Sequence, residues 1–309
     1  MIWFYSPMSK GVIYDFGGIM NVEDVSVGIT GFIDILGFSE KVLNASQFAD
    51  IDDITKNIEI VQTAFDFETD DSLTKEINES HKKTILAFSD CIVINIPLQS
   101  DATKYQGTFD PIMSELVGFA YAQGQCVQKN LFLRGGLDIG WWYQAKSTLV
   151  SQSMVRAYRS EGGANVPVIA LTDELYEFFV NHKHREYYSP NFDPVHRFLR
   201  KYESECEGIK TEFWYLDYVS ICAESIGWQR SEQQIHEYRA ALPDEKEKIM
   251  NQGYRENCER WFQQHARCIQ TAHASAVKAS VKSKYEWLSR YHNEIAPKFT
   301  RVATCLCVV

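Results

Sequence analysis

No apolar run in the chain approaches the roughly 18–20 residues that a membrane-spanning helix needs. The first thirty residues also lack a basic start followed by a clean apolar stretch, so neither a span nor a secretory leader is expected, and a cytoplasmic location is. Eight cysteines stand at 91, 126, 206, 222, 258, 268, 305 and 307, none in C-x-x-C spacing. Without paired spacing, buried free thiols are expected in place of a zinc site or a disulfide framework. Positive charge is short as well: 31 Lys and Arg face 41 Asp and Glu, for a formal net charge of −10. A general grip on a nucleic-acid duplex, which depends on clustered basic side chains, is therefore not indicated. A phosphorylated small molecule remains compatible, provided that cations are supplied locally. There is no internal repeat or low-complexity tract, and no Gly or Pro between Tyr254 and Ala296.

What is present is an ordinary globular composition. The 309 residues, 45% hydrophobic and 13% aromatic, suffice for one large domain or for a domain with an appendage. Residues 1–27 lack periodicity and read as an irregular lead-in. From Gly28, GITGFIDILGF is a strand-like run ending in Gly37, and Phe38 opens a helix. Ile51, Ile54, Ile58, Val61 and Phe65 then recur on one helix face. The acidic segment Phe67–Lys82 reads as an exposed loop. In TILAFSDCIVINI, Thr84–Ile96, two β-rich runs flank Ser89 and Asp90, which places a carboxylate at a hairpin tip. Asp110-Pro111 starts a helix running to about Asn130. Leu131–Tyr143 reads as strand, Ser147–Ser160 as helix, Val166–Leu171 as strand, Thr172–His182 as helix and Glu212–Val219 as a last strand. This mixed order favours an α+β sandwich over a doubly wound sheet. After about Ser225, Tyr254, Cys258, Trp261, Cys268, Leu288 and Tyr291 follow helical spacing, so helices packing on a core or on a second subunit are expected. The expected division is 1–27 lead-in, 28–222 core domain and 223–309 helical extension.

Asp34 carries the chemistry most clearly. It lies in an apolar strand between Ile33 and Ile35, where a buried carboxylate without a partner costs several kcal/mol. It needs a metal, a basic residue or backbone donors. Gly37, Phe38 and Ser39 open a helix directly after it. Strand, carboxylate, tight turn and helix N-terminus together make a place where metal and phosphate can meet. The plainer reading is that Asp34 caps that helix. Asp90 alone is common turn chemistry. Two strand-borne aspartates in one sheet suit Mg²⁺ or Mn²⁺, and can bridge a pair of ions for attack at phosphorus.

These segments resemble the class III nucleotidyl cyclases: F-x-D-I-x-G-F at Phe32–Phe38, F-S-D at Phe88–Asp90, R-G-G-x-x-x-G at Arg134–Gly140 and MVRAYRSE at Met154–Glu161, in that order. The resemblance implies a ferredoxin-like, palm-type sandwich with an added C-terminal helical segment. It implies two divalent ions, Mn²⁺ or Mg²⁺, on Asp34, Asp90 and the Ile35 carbonyl. Phe32 and the Ile35–Ser39 backbone, through Leu36, Gly37 and Phe38, would serve the nucleotide, and Arg134 would reach its phosphates. Arg159 matches the arginine that offsets charge during cyclisation. The family pairs two domains head to tail. A homodimer is thus implied, with Asp34, Asp90 and Arg134 from one subunit and Leu86, Thr148 and Arg159 from the other. Leu86 and Thr148 stand where purine readers are usual. Val155 stands in place of an asparagine, with Ser153 or Gln152 as its candidate substitutes. The pattern is most similar to the pyrimidine cyclases of the Pycsar anti-phage system. That implies UTP, or else CTP, as substrate, with a separate effector that reads the cyclic product. A catalytically silent, nucleotide-binding relative is the alternative. A diguanylate-cyclase-like palm is disfavoured by the absence of a G-G-D-E-F-like hairpin.

Overall fold

A computed structural model describes residues 25–66, 80–145, 148–206 and 209–309. Most of the expected lead-in and of the expected acidic loop lies outside the described residues. The chain divides into two compact units. One is formed by the residues up to Ala122 with Phe132–Asp217, the other by Gln123–Leu131 with Tyr218–Val309.

The first unit is built on one sheet, eight-stranded among the described residues. Its strands are β1 (Val25–Ile35), β2 (Thr84–Phe88), β3 (Cys91–Pro97), β4 (Leu133–Ala145), β5 (Thr148–Ser151), β6 (Ile169–Leu171), β7 (Leu199–Cys206) and β8 (Ile209–Leu216). The order is β2-β3-β1-β4-β6-β8-β7, with β5 paired to β4. All pairs are antiparallel except β4 with β6. The fold is therefore α+β with a mostly antiparallel sheet, as the mixed order of elements implies.

Helices α1 (Phe38–Asn44), α2 (Phe48–Asp66), α3 (Asp101–Gln106) and α4 (Phe109–Val127) follow the early strands. The apolar face of β1, with Ile29 and Ile33, is fully buried along with Phe65 of α2 and Ile112, Leu116 and Phe119 of α4. Phe65 and Phe119 meet edge to face at 5.5 Å. On α2 the inner end of the expected apolar face is buried at Val61 and Phe65, while Ile51 at its start is 55% exposed.

Two expectations about elements are corrected. Thr148–Ser151 is a strand, not the start of a helix, because β4 continues to Ala145 and offers it an edge. The helix that follows, α5 (Gln152–Ala164), begins where the Ser151 hydroxyl accepts the Met154 amide, and it runs through Gly162-Gly163 to a left-handed Asn165. Strand β7 has no counterpart in the sequence reading, since its run of charges hides the alternation. It is held by the stacking of Tyr202 on Phe213 at 4.7 Å and by Lys201–Glu212 at 3.3 Å across the register. Two further helices, α6 (Asp173–Val180) and α7 (Pro194–Phe198), complete this unit.

The second unit contains α8 (Tyr218–Glu224), α9 (Glu232–Ala240), α10 (Pro243–Ser275) and α11 (Ala279–Phe299). Cys258, Phe262, Ile269, Leu288, Tyr291 and Ile295 are its buried apolar stripe. At its centre His265 and His292 are fully buried, with Nδ1 facing Nδ1 at 2.8 Å. The Cys305 carbonyl can only accept, so the His292 Nε2 at 2.6 Å carries the proton. His265 Nδ1 must then donate to His292 Nδ1, and the Tyr218 hydroxyl donates to His265 Nε2 at 2.8 Å. Both rings are held neutral by that order. Among the described residues, no helix is long and apolar enough to cross a membrane.

Candidate active site

Register assembles the site. On one face of the sheet, Phe88, Cys91, Asp34 and Arg134 form a row across β2, β3, β1 and β4. Leu86, Val93, Phe32 and Gly136 form the next row, and Thr84, Asn95, Thr30 and Asp138 the third. Asp90 sits in the two-residue turn between β2 and β3, beside the first row, where Ser89 takes φ 56°. The two aspartates expected together are together.

Helix α5 lies on this face. Ser153 Oγ is 2.6 Å from Thr30 Oγ1, the Tyr158 ring meets Phe32 edge-on at 5.2 Å, and Glu161 Oε1 is 2.5 Å from Arg134 Nε. Gly136 makes this approach possible, because a Cβ there would stand 2.0 Å from the Ala157 carbonyl oxygen.

Asp34 does not cap α1, whose N-cap is Gly37 with φ 79° and no side-chain cap. Its Oδ2 instead receives Arg134 Nε at 2.8 Å and Nη2 at 2.7 Å. Its Oδ1 faces the Cys91 thiol at 3.9 Å, and that thiol lies 3.8 Å from Asp90 Oδ1. Burial pushes the Asp34 carboxyl above the usual range; Arg134 pulls it down and Asp90 adds to the rise. Burial, then Asp90 and Asp34, push the Cys91 thiol up to about 12. Donor atoms of Asp34, Asp90 and Cys91 lie within 4.8 Å of one another. Two carboxylates fit a hard divalent ion. The thiol, held protonated, serves them as a hydrogen-bond donor.

Ile35 and Phe38 are buried, and Ser39 is exposed. The Leu36 amide is taken by the Phe132 carbonyl at 2.8 Å. That leaves the turn at Gly37 and the first amides of α1 as backbone donors. Arg134, expected at phosphate, is committed to Asp34 and Glu161. Leu86 is half-buried on the same face. Thr148 is exposed and pairs with Ala145, eleven residues along β4 from Arg134, or roughly 35 Å at the usual strand rise. Arg159 is exposed, two residues before Glu161, on the opposite side of a helix that turns 100° per residue. One chain therefore does not bring Thr148 and Arg159 to Asp34. Ser153 is buried and bonded to Thr30 and Ser151, while Val155 is exposed.

Sequence reasoning passed over Cys91 and Glu161. The signal for Cys91 was its place directly after the hairpin tip. For Glu161 it was a carboxylate at four-residue spacing from Ala157 and Ser153, on the helix face of small residues that is buried. In the third row, Asp138 is fully buried and pushed up to about 6 by burial, with Thr172 Oγ1 donating to its Oδ1 at 2.5 Å. Its Oδ2 has no hydrogen bond and faces Arg156 at 3.9 Å.

No family model and no curated protein matches the chain. Solved structures similar to it include a bacterial light-regulated adenylyl cyclase, at 14% identity and TM-score 0.37 over 63% of this chain and 52% of that one. Another is the adenylyl cyclase CyaB from P. aeruginosa, at 14% identity and TM-score 0.36 over 62% of this chain and 94% of that one. A third is the guanylyl cyclase domain of the RhoGC fusion protein from the aquatic fungus Blastocladiella emersonii, at 11% identity and TM-score 0.38 over 62% and 95%. The chain spans about half the length of the first of these. At TM-scores of this size, what the site can do is read from its own geometry.

Proposed function

We propose that the chain is a metal-dependent nucleotidyl cyclase acting on a pyrimidine nucleoside triphosphate, UTP before CTP, and working as a homodimer. The observation that carries this reading is the Asp34–Asp90 pair, one on β1 and the other in the turn that leads into the adjoining β3, next to the turn at Gly37 and the start of a helix. Asp34 and Glu161 face one guanidinium and Asp90 lies beside Asp34, so the site keeps an excess of negative charge that calls for a cation. Asp34, Asp90 and the Ile35 carbonyl are the groups to hold it. Divalent ions there would supply activation of the ribose 3′-hydroxyl and neutralisation of the departing pyrophosphate.

The chain's residues do the rest. The Gly37–Ser39 backbone orients the triphosphate, so that the 3′-hydroxyl faces the α-phosphorus within one molecule. Arg159 from a second copy offsets the charge that develops at phosphorus. Its outward face on α5, and the distance from Thr148 to Asp34, support a site shared between copies. Leu86, an aliphatic side chain on the face of the aspartates, and Thr148, which can donate or accept, support a pyrimidine over a purine. A cyclic pyrimidine nucleotide made in this way would act as an anti-phage alarm read by a separate effector. The test is incubation of the pure protein with each of the four nucleotides and Mn²⁺, with products identified by mass spectrometry. Cyclic UMP is expected, and its loss in Asp34→Ala and in Asp90→Ala. An undiminished yield from either variant refutes the mechanism. Val155, standing exposed where an asparagine would act, favours a second reading, a nucleotide-binding module without turnover. Tight UTP binding without pyrophosphate release would select it.

A further inference from the structure

We infer that Glu161 is a positioning residue of the metal centre and that it acts through Arg134; the inference rests on the metal reading above. An arginine facing a single carboxylate prefers a fork, with two N–H groups on two oxygens. Arg134 does otherwise. Its Nε and Nη2 both approach Asp34 Oδ2, at 2.8 and 2.7 Å, and Oδ1 is left toward Cys91 and Asp90. What turns the guanidinium from the fork is the charge of Glu161, whose Oε1 stands 2.5 Å from the same Nε while that nitrogen's one hydrogen goes to Asp34. Glu161 is 4% exposed and rides on the helix that Gly136 allows to sit close, so its carboxylate is fixed in place. Two carboxylates thus share one cation. The shared cation claims one oxygen of Asp34 and leaves the other open to an ion.

Without the Glu161 charge, Arg134 closes on both oxygens of Asp34 and competes with the ion. Outer partners of metal ligands typically govern affinity by about 10–100-fold. The experiment is a Mn²⁺ titration read by electron paramagnetic resonance, on the full chain and on Glu161→Gln, Arg134→Gln and the double variant. Circular dichroism melts check the fold of each. Glu161→Gln is expected to bind Mn²⁺ about tenfold more weakly. The Mn²⁺ concentration for half-maximal activity should rise by the same factor, with turnover at saturating Mn²⁺ within about twofold of wild type. Arg134→Gln removes the competitor, so the double variant is expected to regain wild-type affinity or better.

Wild-type affinity in a folded Glu161→Gln chain overturns the positioning role and leaves the metal reading intact. A double variant as weak as Glu161→Gln overturns the route through Arg134. A wild-type chain that takes up no Mn²⁺ overturns the metal reading and the inference with it. Should Glu161→Gln not fold, Glu161→Asp keeps the charge and shortens the reach. It is expected to lose about threefold in affinity, less than the roughly tenfold or more for outright loss of an outer partner, and an unchanged value refutes the role.

Discussion

Replacing Gly136 by alanine tests whether the close seat of α5 holds the site together. An added Cβ would stand 2.0 Å from the Ala157 carbonyl oxygen, 2.8 Å from the carbonyl carbon and 3.0 Å from the Glu161 amide nitrogen, all backbone atoms. Carbon and oxygen rest no closer than about 3.3 Å, so the helix must retreat by roughly 1.3 Å. Such a retreat strains the Thr30–Ser153 bond at 2.6 Å and the Arg134–Glu161 pair at 2.5 Å. Overpacking costs about 1–3 kcal/mol. Two weakened polar contacts add about 1 kcal/mol each. The reduced freedom of the unfolded alanine chain returns about 0.4–1 kcal/mol. The net loss is about 2–5 kcal/mol, which in a unit of this size lowers the melting temperature by roughly 4–20 °C. Gly140→Ala is the control on the same strand. There the nearest atoms are the tip of Gln152 at 3.2 Å and Ser153 at 3.3 Å, so a shift within about 3 °C is expected. Thermal melts followed by circular dichroism decide the matter. A Gly136→Ala chain that melts with wild type, or no lower than Gly140→Ala, refutes the reasoning.

Acid should loosen the second unit. Burial, and for His265 also the facing ring of His292, hold both imidazoles below the usual 6.5. The unfolded chain then binds more protons than the folded one once the pH falls below that value, so stability is full above about 6.5 and is lost below it. Urea midpoints at pH 7.5 and 5.5 should differ, and His265→Gln should flatten the difference; an equal slope in that variant counts against the assignment. Asp138 has the opposite sense. Its folded carboxyl is pushed up to about 6, so its ionised form opposes folding above that pH. Asp138→Asn should therefore raise stability at pH 7.5, by up to about 2–3 kcal/mol, and by less at pH 5. Equal gains at the two values would refute this. With its thiol up at about 12, Cys91 should alkylate at pH 8 at least about a hundredfold more slowly in the native protein than in urea, as peptide mapping would read. Comparable rates would contradict the burial described.

Sequence alone located Asp34 on its strand and Asp90 at a hairpin tip, because apolar runs broken by a carboxylate and by a turn are local signals. Local signals also marked α4, from Asp110-Pro111, and the long helices α10 and α11. The register that sets Asp34 opposite Cys91 and Arg134 is a property of pairs of strands, and no single segment displays it. The same holds for the contacts of Arg134. Nothing in R-G-G states that a glutamate 27 residues later will sit against its guanidinium. Strands β5 and β7 were missed because their pairing partners, not their own composition, stabilise them.

Helix α5 has two working faces and one rigid body. Glu161 and Ser153 are keyed into the sheet, while Val155 and Arg159 stand outward in solvent. Hydrogen bonds along a helix do not let one face slide without the other. Whatever presses on the outer face therefore also presses, like a finger on a lever, on the carboxylate that restrains Arg134. A load on the outer surface and the reach of Arg134 toward Asp34 become a single mechanical coordinate.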